Sequence, residues 1–391
     1  MRSVPLDGLP VVGALHEEHT DTGVAFERLP RRTRAQVADP SLQLVLAMPA
    51  GVRLAFTSAS TVLELDLAAT AVQVGDLPYV RPAVDVVVAG EPVLSVEVVE
   101  HAVLQLRGPL PEDVVVLPGG PGTVRLALPG DDRRVEVWFP HGAVTELRGV
   151  RVDEGKDLRP VPPEGLRWVH HGSSISHCLE ASSPTQTWPA LVAREQGLDL
   201  LDLALAGQCQ LDGWTARAIR DAPADLISLK LGINVVNGDT MRERTFHAAV
   251  HGFLDTVRDG HPDTPLLVVT PIVCPAVEQH PGPTALQDGV FGVVPRPDAL
   301  ATGALTLQRV REVLSEVVTA RQAADPALHL LDGLQLFGPA DVDSLPDGLH
   351  PDAAGYRTMA ERFSTLVFGG SGAFRPRAGT ATRPGPASLR S

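Results

Sequence analysis

The stretch from Val169 to Ser176, which reads VHHGSSIS, constrains the fold of this chain more than any other segment. An apolar, strand-like lead-in reaches Gly172 and two serines, and a helical pattern follows from about Thr185 to Gln196. A strand-to-helix turn of this kind places a serine hydroxyl at the carboxyl edge of a sheet, near the partial positive charge of a helix start. Gly172 allows a tight turn just before Ser174, so Ser174 is the candidate nucleophile.

Strand-like and helix-like segments alternate after this turn, which predicts a parallel sheet with helices on both faces. Ligands of such sheets bind at the carboxyl ends of the strands. The predicted strands are Leu198–Leu205, Leu226–Leu231, Pro265–Thr270 and Leu328–Leu331, and the predicted helices are Trp214–Ala222, Arg242–Asp259, one through Leu307, Val310 and Leu314, and Asp352–Val367.

Three further polar features follow strands and match the chemistry of a serine nucleophile. They are Gly207, Asn234 in the sequence Gly-Ile-Asn, and the pair Asp347 and His350 before the last helix. Each alone has an ordinary explanation as a turn or helix-start residue. Together they could supply a base for the Ser174 hydroxyl, a carboxylate to orient that base, and donors to a developing oxyanion.

These blocks, taken in order, resemble the motif blocks of the SGNH (GDSL-type) hydrolases. The resemblance covers about residues 167 to 370 and implies a flavodoxin-like three-layer α/β/α domain that forms an acyl-enzyme. It implies that Ser174 is the nucleophile, His350 the general base and Asp347 its orienting carboxylate. Ser174, Gly207 and Asn234 would form the oxyanion hole.

Two positions depart from the common family pattern. Ser173 stands where an aspartate usually precedes the nucleophile, and Val235 stands where an aspartate usually follows the asparagine of the third block. The Gly-Ser-Ser-Ile and Leu-Gly-Ile-Asn variants resemble a subfamily of hydrolases and acyltransferases with an amino-terminal β-sandwich. Neither departure affects the residues to which the core chemistry is assigned.

The amino-terminal half shows many short strand patterns separated by Gly and Pro, and no helical pattern. This predicts an all-β, jelly-roll-like sandwich with a strand at Leu42–Leu46 and a hairpin turn at Pro129–Asp132. The predicted domains are residues 1–160 for the sandwich, 161–370 for the catalytic domain and 371–391 for a disordered tail. The Pro- and Gly-rich stretch from Pro271 to Pro297 follows a strand and is expected to form the acyl or acceptor pocket.

The net charge and the cysteine count restrict the binding partners and cofactors that this chain can have. The net charge of −14 argues against a nucleic-acid groove and against binding to acidic membranes, and the amino terminus lacks the apolar core of a signal peptide. Three cysteines are too few and too scattered for a disulfide framework or a zinc site. We therefore expect a cytoplasmic protein with no cofactor and no metal. Its expected partners are a small-molecule acyl donor and water or an alcohol as acceptor, and a homo-oligomer is compatible with the sequence.

Several residues have competing interpretations. His170 and His171 could line the pocket or be buried at the strand end, and Cys178 and Cys209 are interpreted as pocket-wall residues rather than nucleophiles. His247 and His251 are four residues apart on a predicted helix, but without an accompanying carboxylate they are interpreted as a solvated or packed pair. Two other functions remain open: a carbohydrate-ester deacetylase, which would need exposed aromatic side chains on the sandwich, and a non-catalytic binding protein on the same fold.

Overall fold

A computed structural model describes residues 1–108 and 113–375 of the chain. The first part is rich in strands: β1 (Arg2–Val4), β2 (Val11–Val12), β3 (His16–His19), β4 (Val24–Glu27), β5 (Arg53–Thr57), β6 (Val62–Val74), β7 (Ala83–Val88), β8 (Glu91–Glu97), β9 (Ala102–Leu106), β10 (Val114–Leu117), β11 (Gly122–Ala127), β12 (Arg134–Trp138), β13 (Ala143–Val152) and β14 (Arg159–Pro160). Two short helices, α1 (Arg31–Arg34) and α2 (Pro40–Leu46), lie between β4 and β5.

These strands form two sheets that share one apolar core. The first has the order β10-β9-β6-β13-β4-β3, with β1 on β13 and β11 on β6, and the second has the order β14-β5-β12-β7-β8, with β2 on β5. Along β6 the alternate residues Leu63, Leu65 and Leu67 are buried, as expected for a strand with one face on the core. The predicted all-β sandwich is confirmed.

The predicted strand at 42–46 is wrong, because this segment is helix α2. Asp39 caps the helix by accepting a hydrogen bond from the backbone N–H of Leu42 at 2.8 Å, and Pro40 occupies the first helical turn. Leu42, Val45 and Leu46 are buried together, as their spacing on a helix allows. The helix-start signal of Asp39 and Pro40 therefore decides the local structure here, and the short apolar run that suggested a strand does not.

The predicted hairpin at Pro129–Asp132 is also wrong. The strands that it joins, β11 and β12, lie in different sheets: β11 pairs with β6, whereas β12 pairs with β5 and β7. The turn therefore carries the chain from one sheet of the sandwich to the other. Local turn chemistry could not distinguish this corner from a hairpin, because the pairing partners lie far away in sequence.

The second part of the chain alternates strands and helices, as predicted. Its elements are β15 (Arg167–His171), α3 (Ser174–His177), α4 (Trp188–Glu195), β16 (Asp199–Asp202), α5 (Gly213–Asp221), β17 (Leu226–Lys230), α6 (Ile233–Asn237), α7 (Glu243–Gly260), β18 (Leu266–Val269), β19 (Thr284–Gln287), β20 (Val290–Val293), α8 (Leu307–Gln322), β21 (Leu328–Leu331) and α9 (Ala353–Phe363). A π-helical turn, Ser364–Phe368, extends α9.

The parallel sheet has the order β16-β15-β17-β18-β21. Numbered within the sheet this is 2-1-3-4-5, the flavodoxin-like order, whose ligand site lies where the strand order reverses. Helices α4 and α9 pack against each other, and α7 contacts both α5 and α8. The three-layer α/β/α domain is confirmed. Its strand order reverses between β15 and β17.

Buried polar contacts join the two halves. The Arg28 guanidinium is fully buried and donates to the carbonyls of Val45 and Met48 in the first half and of Ala204 in the second. Arg53 and Asp199 form a buried ion pair at 2.8 Å. The sandwich is therefore attached to the parallel-sheet domain along β16, from Asp199 at its start to Ala204 just after its end.

A second set of interdomain bonds reaches α3. His177 Nε2 donates to the carbonyl of His141 at 2.7 Å, and His141 Nε2 donates to the carbonyl of Cys178 at 2.9 Å. Both rings are buried, and burial lowers the pKa of each, that of His141 to about 4. The segment of α3 and Cys178 thus both donates a hydrogen bond to the sandwich and accepts one from it.

We propose a domain boundary near residue 160, between β14 and β15. At the other end, residues 376–391 of the predicted tail lie outside the described residues. Phe374 is described, and it is buried in the core of the parallel-sheet domain. The folded part of the chain therefore includes residues 371–375.

Candidate active site

Ser174 lies where the sequence places it, on the first turn of α3 directly after β15. Ser173, at the helix N-cap, accepts a hydrogen bond from the backbone N–H of Ile175 at 3.3 Å. A Cβ atom on Gly172 would collide with the Ser176 side chain, so this close turn requires glycine. These contacts fix the position of the Ser174 hydroxyl at the carboxyl end of β15.

His350 connects Ser174 to Asp347. The Ser174 hydroxyl donates to His350 Nε2 at 2.8 Å, and His350 Nδ1 donates to Asp347 Oδ2 at 2.6 Å. The ionised carboxylate accepts only, so the Nδ1 atom carries the ring proton and Nε2 is left as acceptor. The structure thus brings the three predicted residues into one hydrogen-bonded chain.

The loop around Asp347 holds that carboxylate in place. Its Oδ1 atom accepts from the backbone N–H groups of Leu349 at 2.9 Å and of His350 at 2.7 Å. Burial opposes ionisation of Asp347, but the hydrogen bond and charge of His350 and these backbone bonds outweigh it and hold the pKa of the carboxyl below its usual value. Asp347 is therefore ionised at neutral pH and able to orient the imidazole.

The electrostatics of His350 favour its protonated form. Burial alone would lower the pKa of His350, but the negative charges of Glu180 and Asp347 outweigh burial and place its pKa above the ordinary value. An imidazolium next to Ser174 is thus stabilised by two carboxylates. The neutral His350 ring can therefore take a proton from the serine hydroxyl at Nε2, and the two carboxylates stabilise the resulting positive charge.

Gly207 and Asn234 follow β16 and β17, the two strands that pair with β15. Gly207 follows β16 and has a φ of +70°, a backbone conformation that favours glycine. Asn234 lies on α6 just after β17, and its Oδ1 atom accepts from the backbone N–H of Cys209 at 3.0 Å. Because the oxygen is engaged in this way, the amide NH₂ group of Asn234 remains available as a donor.

The two departures from the motif pattern have structural roles. Ser173 is fully buried as the N-cap of α3, and Val235 is fully buried in the apolar core under α6. Neither side chain takes part in the hydrogen-bonded chain from Ser174 to Asp347.

Glu180 was not predicted, yet it reaches the site. Its Oε1 atom lies 3.6 Å from His350 Nδ1, and its Oε2 atom accepts from the hydroxyl of the buried Tyr356 at 2.6 Å. It lies six residues after Ser174 in a segment without motif character, so no local pattern in the sequence marks it.

Phe291 is a second residue that motif reasoning missed. The predicted pocket stretch from Pro271 to Pro297 contains the hairpin of β19 and β20, and Phe291 on β20 places its ring edge-on to His350 with centroids 5.7 Å apart. The Phe291 backbone N–H donates to the carbonyl of Asp347 at 2.8 Å. The hairpin is therefore attached to the loop that carries the candidate base.

The neighbouring histidines are core residues. His170 bonds Ser228 Oγ at 2.7 Å, and His171 Nδ1 bonds the carbonyl of Leu203 at 2.8 Å while its ring stacks on Phe253. Burial lowers the pKa of both rings, that of His171 to about 4. Of the two predicted alternatives, the structure shows burial at the strand end.

The cysteines and the histidine pair add no second reactive centre. Cys178 and Cys209 are buried, and burial raises the pKa of both thiols, that of Cys209 to about 12. His247 and His251 lie with ring centroids 5.0 Å apart, and His251 bonds Arg321. The described residues hold no cluster of three or more His, Cys, Asp or Glu side chains arranged to bind a metal ion.

Comparison with known protein families agrees with this geometry. The model of the GDSL-like lipase/acylhydrolase family matches residues 171–358, and the model of the SsfX3 N-terminal domain matches residues 9–148. The chain therefore contains a GDSL-like lipase/acylhydrolase domain. The presence of this domain makes the protein an enzyme of the esterase or acyltransferase type.

Solved structures extend the comparison to both domains of this GDSL-like enzyme. A salicylyl-acyltransferase, SsfX3, from a tetracycline biosynthetic pathway is 29% identical, with a TM-score of 0.75 over 92% of this chain and 95% of that one. A putative GDSL-like lipase from Bacteroides ovatus is 18% identical, with a TM-score of 0.65 over 93% and 96%. A family two carbohydrate esterase from Clostridium thermocellum is 13% identical, with a TM-score of 0.56 over 92% and 97%.

No match was found among curated proteins. Within the described residues, none of the helices of this GDSL-like enzyme combines the length and the apolarity needed to cross a membrane.

Proposed function

We propose that this protein catalyses serine-dependent acyl transfer through an acyl-enzyme, with a small-molecule ester or thioester as acyl donor. The observation that carries the proposal is the hydrogen-bonded chain from Ser174 through His350 to Asp347, with distances of 2.8 and 2.6 Å. The three side chains come from two segments, α3 and the loop before α9, and Ser174 and Asp347 are 173 residues apart in sequence. An arrangement of this kind activates a serine hydroxyl.

In the first half-reaction the Ser174 Oγ atom attacks the acyl carbonyl, and its proton moves to His350 Nε2. The new oxyanion is stabilised by the backbone N–H groups of Ser174 and Gly207 and by the side-chain amide of Asn234. The tetrahedral intermediate then collapses, and His350 returns the proton to the departing alcohol or thiol. Asp347 stays ionised throughout and orients the imidazolium.

In the second half-reaction an acceptor hydroxyl takes the place of the leaving group. We propose an alcohol of a small molecule as the preferred acceptor, with water as the competitor. Two findings support transfer: the 29% identity to a salicylyl-acyltransferase along 92% of this chain, and the hairpin of β19 and β20 placed against His350. A covered site disfavours hydrolysis because it limits the access of water to the intermediate.

The two alternative functions have less support. Sugar stacking needs exposed aromatic rings, but Phe26, Phe56, Trp138 and Phe139 of the sandwich are buried, and Tyr79 is engaged with His101. A non-catalytic binding protein would not need the short hydrogen bonds that link Ser174, His350 and Asp347.

The test is acylation of the protein itself. Wild type and Ser174→Ala are incubated with aromatic and short-chain acyl thioesters and esters, and intact-mass spectrometry follows the protein. We expect an increase by one acyl group in the wild type and none in Ser174→Ala. Ser176→Ala is the matched control, since it removes a buried hydroxyl two residues away that has no hydrogen-bond partner among the described residues.

The acceptor is tested by adding alcohols to the preformed acyl-enzyme. Loss of the adduct that is accelerated by an alcohol, with formation of the new ester, supports transfer. Loss at a rate independent of every alcohol indicates hydrolysis. An adduct that persists in Ser174→Ala, or no adduct with any donor, would contradict the proposed role of Ser174.

A further inference from the structure

His350 faces a second carboxylate besides Asp347. Asp347 Oδ2 accepts the Nδ1 proton at 2.6 Å, and Glu180 Oε1 lies 3.6 Å from the same nitrogen. A separation of 3.6 Å is too long for a good hydrogen bond but well within the range at which an opposite charge favours an ionised group. The sequence between the two carboxylates is long, so the fold alone brings them together at one ring nitrogen.

Glu180 is held in place from two directions. Its Oε2 atom accepts from the hydroxyl of Tyr356 at 2.6 Å, and Tyr356 is fully buried on α9. The backbone that carries Glu180 turns at Cys178, whose φ is +59°, and the Cys178 carbonyl accepts from His141 of the sandwich at 2.9 Å. With Oε2 engaged by the phenol, Oε1 is the oxygen that faces the imidazole.

We propose that Glu180 is a positioning residue for the proposed acyl transfer, and that it stabilises the His350 imidazolium formed when Ser174 is deprotonated. Glu180 takes up no proton itself. The proton leaves Ser174 Oγ and binds His350 Nε2, while the Nδ1 proton stays in its hydrogen bond to Asp347. The inference rests on the proposed function, because it assigns Glu180 a role in the step that His350 performs.

Among the residues that the structure describes, the charged groups recorded beside the His350 ring are both carboxylates. From its own loop His350 faces Asp347, from α3 and the segment after it Ser174 and Glu180, and from β20 the uncharged ring of Phe291. Cys274 lies nearby and bonds the carbonyl of Gly348 through its sulfur, with a thiol pKa raised by burial to about 12. The imidazolium therefore faces two carboxylates, and Glu180 adds to the effect of Asp347.

The test compares Glu180→Gln with the wild type by titrating the His350 ring in NMR spectra, with the signal assigned through its loss in His350→Gln. Removing one negative charge is expected to lower the titration midpoint of His350 by about one pH unit. Tyr356→Phe, which frees the Glu180 side chain, is expected to give a smaller shift in the same direction, and Glu180→Asp to restore part of it.

Reactivity gives a second readout. Labelling of Ser174 by a fluorophosphonate needs the neutral imidazole, so its rate rises with pH through the His350 titration. In Glu180→Gln the rise should occur at lower pH, and the plateau rate should fall about tenfold because the imidazolium is less stabilised. A role confined to folding would lower the amount of active protein without moving the midpoint.

Glu195→Gln is the matched control. Glu195 also accepts a hydrogen bond from a hydroxyl, that of Ser364 at 2.7 Å, but no contact joins it to His350. We expect wild-type titration and labelling for this variant. An unchanged midpoint in Glu180→Gln would overturn the inference even where Ser174 is labelled normally. A wild type that resists labelling would instead contradict the proposed function, and the NMR titration would still decide the role of Glu180.

Discussion

The side chain of Asn234 is oriented by one backbone donor. Its Oδ1 atom accepts from the N–H of Cys209 at 3.0 Å, and its NH₂ group is the proposed donor to the reacting acyl oxygen. We predict that Asn234→Ala lowers kcat by about 10²- to 10³-fold, because one oxyanion donor is lost and KM depends little on it. Steady-state kinetics with the best acyl donor measures the effect.

Asn237→Ala provides the comparison for this prediction. It is the same substitution at the end of the same helix, α6, and should leave kcat near the wild-type value. A large rise in KM at constant kcat in Asn234→Ala would show that Asn234 binds the substrate equally in the ground and transition states, contrary to the prediction.

At the residue scale, the sequence could predict candidate site residues because they all follow strands of a parallel sheet. Ser174, Gly207, Asn234 and the loop of Asp347 and His350 share one sheet edge for this topological reason. Glu180 could not be found in this way. Its contact with His350 depends on the left-handed turn at Cys178 and on a hydroxyl from α9, and neither leaves a local sequence pattern.

At the scale of elements, the hairpin of β19 and β20 bears most directly on the choice between water and alcohol. Phe291 contacts the His350 ring edge-on, and its backbone bonds the Asp347 carbonyl at 2.8 Å. We predict that Phe291→Ala lowers the ratio of transfer to hydrolysis several-fold, because removing the ring opens the acyl-enzyme to water. The ratio is measured by quantifying ester and free acid formed from one acyl donor at fixed alcohol concentration.

Leu300→Ala is suited as the control, since Leu300 is 59% exposed and lies beyond the hairpin in the same connection to α8. Its partition ratio should match that of the wild type. If Phe291→Ala changed KM for the donor but left the partition ratio unaltered, the hairpin would bind the acyl group without excluding water.

Elements in the parallel-sheet domain were more predictable than those in the sandwich. The long helices there show their own period, as in α8, where Leu307, Val310 and Leu314 are all buried. Helix α2 has only seven residues, and its apolar run resembles a strand unless the Asp39 cap is given more weight. The corner at 129–132 depends on pairings far along the chain, which no window of local sequence contains.

At the scale of the whole molecule, a buried ion pair joins the two domains. The Arg53 and Asp199 side chains are only 3% and 5% exposed and pair at 2.8 Å across the domain boundary. We predict that Arg53→Ala lowers the free energy of unfolding by about 2 to 3 kcal/mol, because the buried Asp199 carboxylate then keeps only one of its two arginine partners, Arg167 at 3.0 Å. Urea denaturation followed by circular dichroism measures the change.

Arg125→Ala is the matched comparison. Arg125 pairs with Glu64 on the outer face of the sandwich and is 62% exposed, so its loss should cost less than about 1 kcal/mol. Equal destabilisation by the two substitutions would mean that the interdomain pair is no stronger than a surface pair.

The sequence predicts a domain boundary near residue 160 but contains no local sign of how the two domains contact each other. Arg28 and His141 read as ordinary polar residues of a β-sandwich, and only the structure shows them bonded to the carbonyls of Ala204 and Cys178. Contacts to main-chain atoms of a distant segment depend on the backbone path and not on the identity of the residue contacted.

The reciprocal bonds between His141 and the segment of His177 and Cys178 have a consequence for building chimeras. A crossover at the proposed boundary near residue 160 would combine α3 with the sandwich of another protein. That sandwich would need a carbonyl and a donor at the positions of the His141 backbone and side chain. Exchange within the stretch from Pro271 to Pro297 leaves these bonds untouched while replacing the surface beside His350. Recombination intended to change acyl preference should therefore exchange that stretch, and both domains of a chimera should come from the same parent protein.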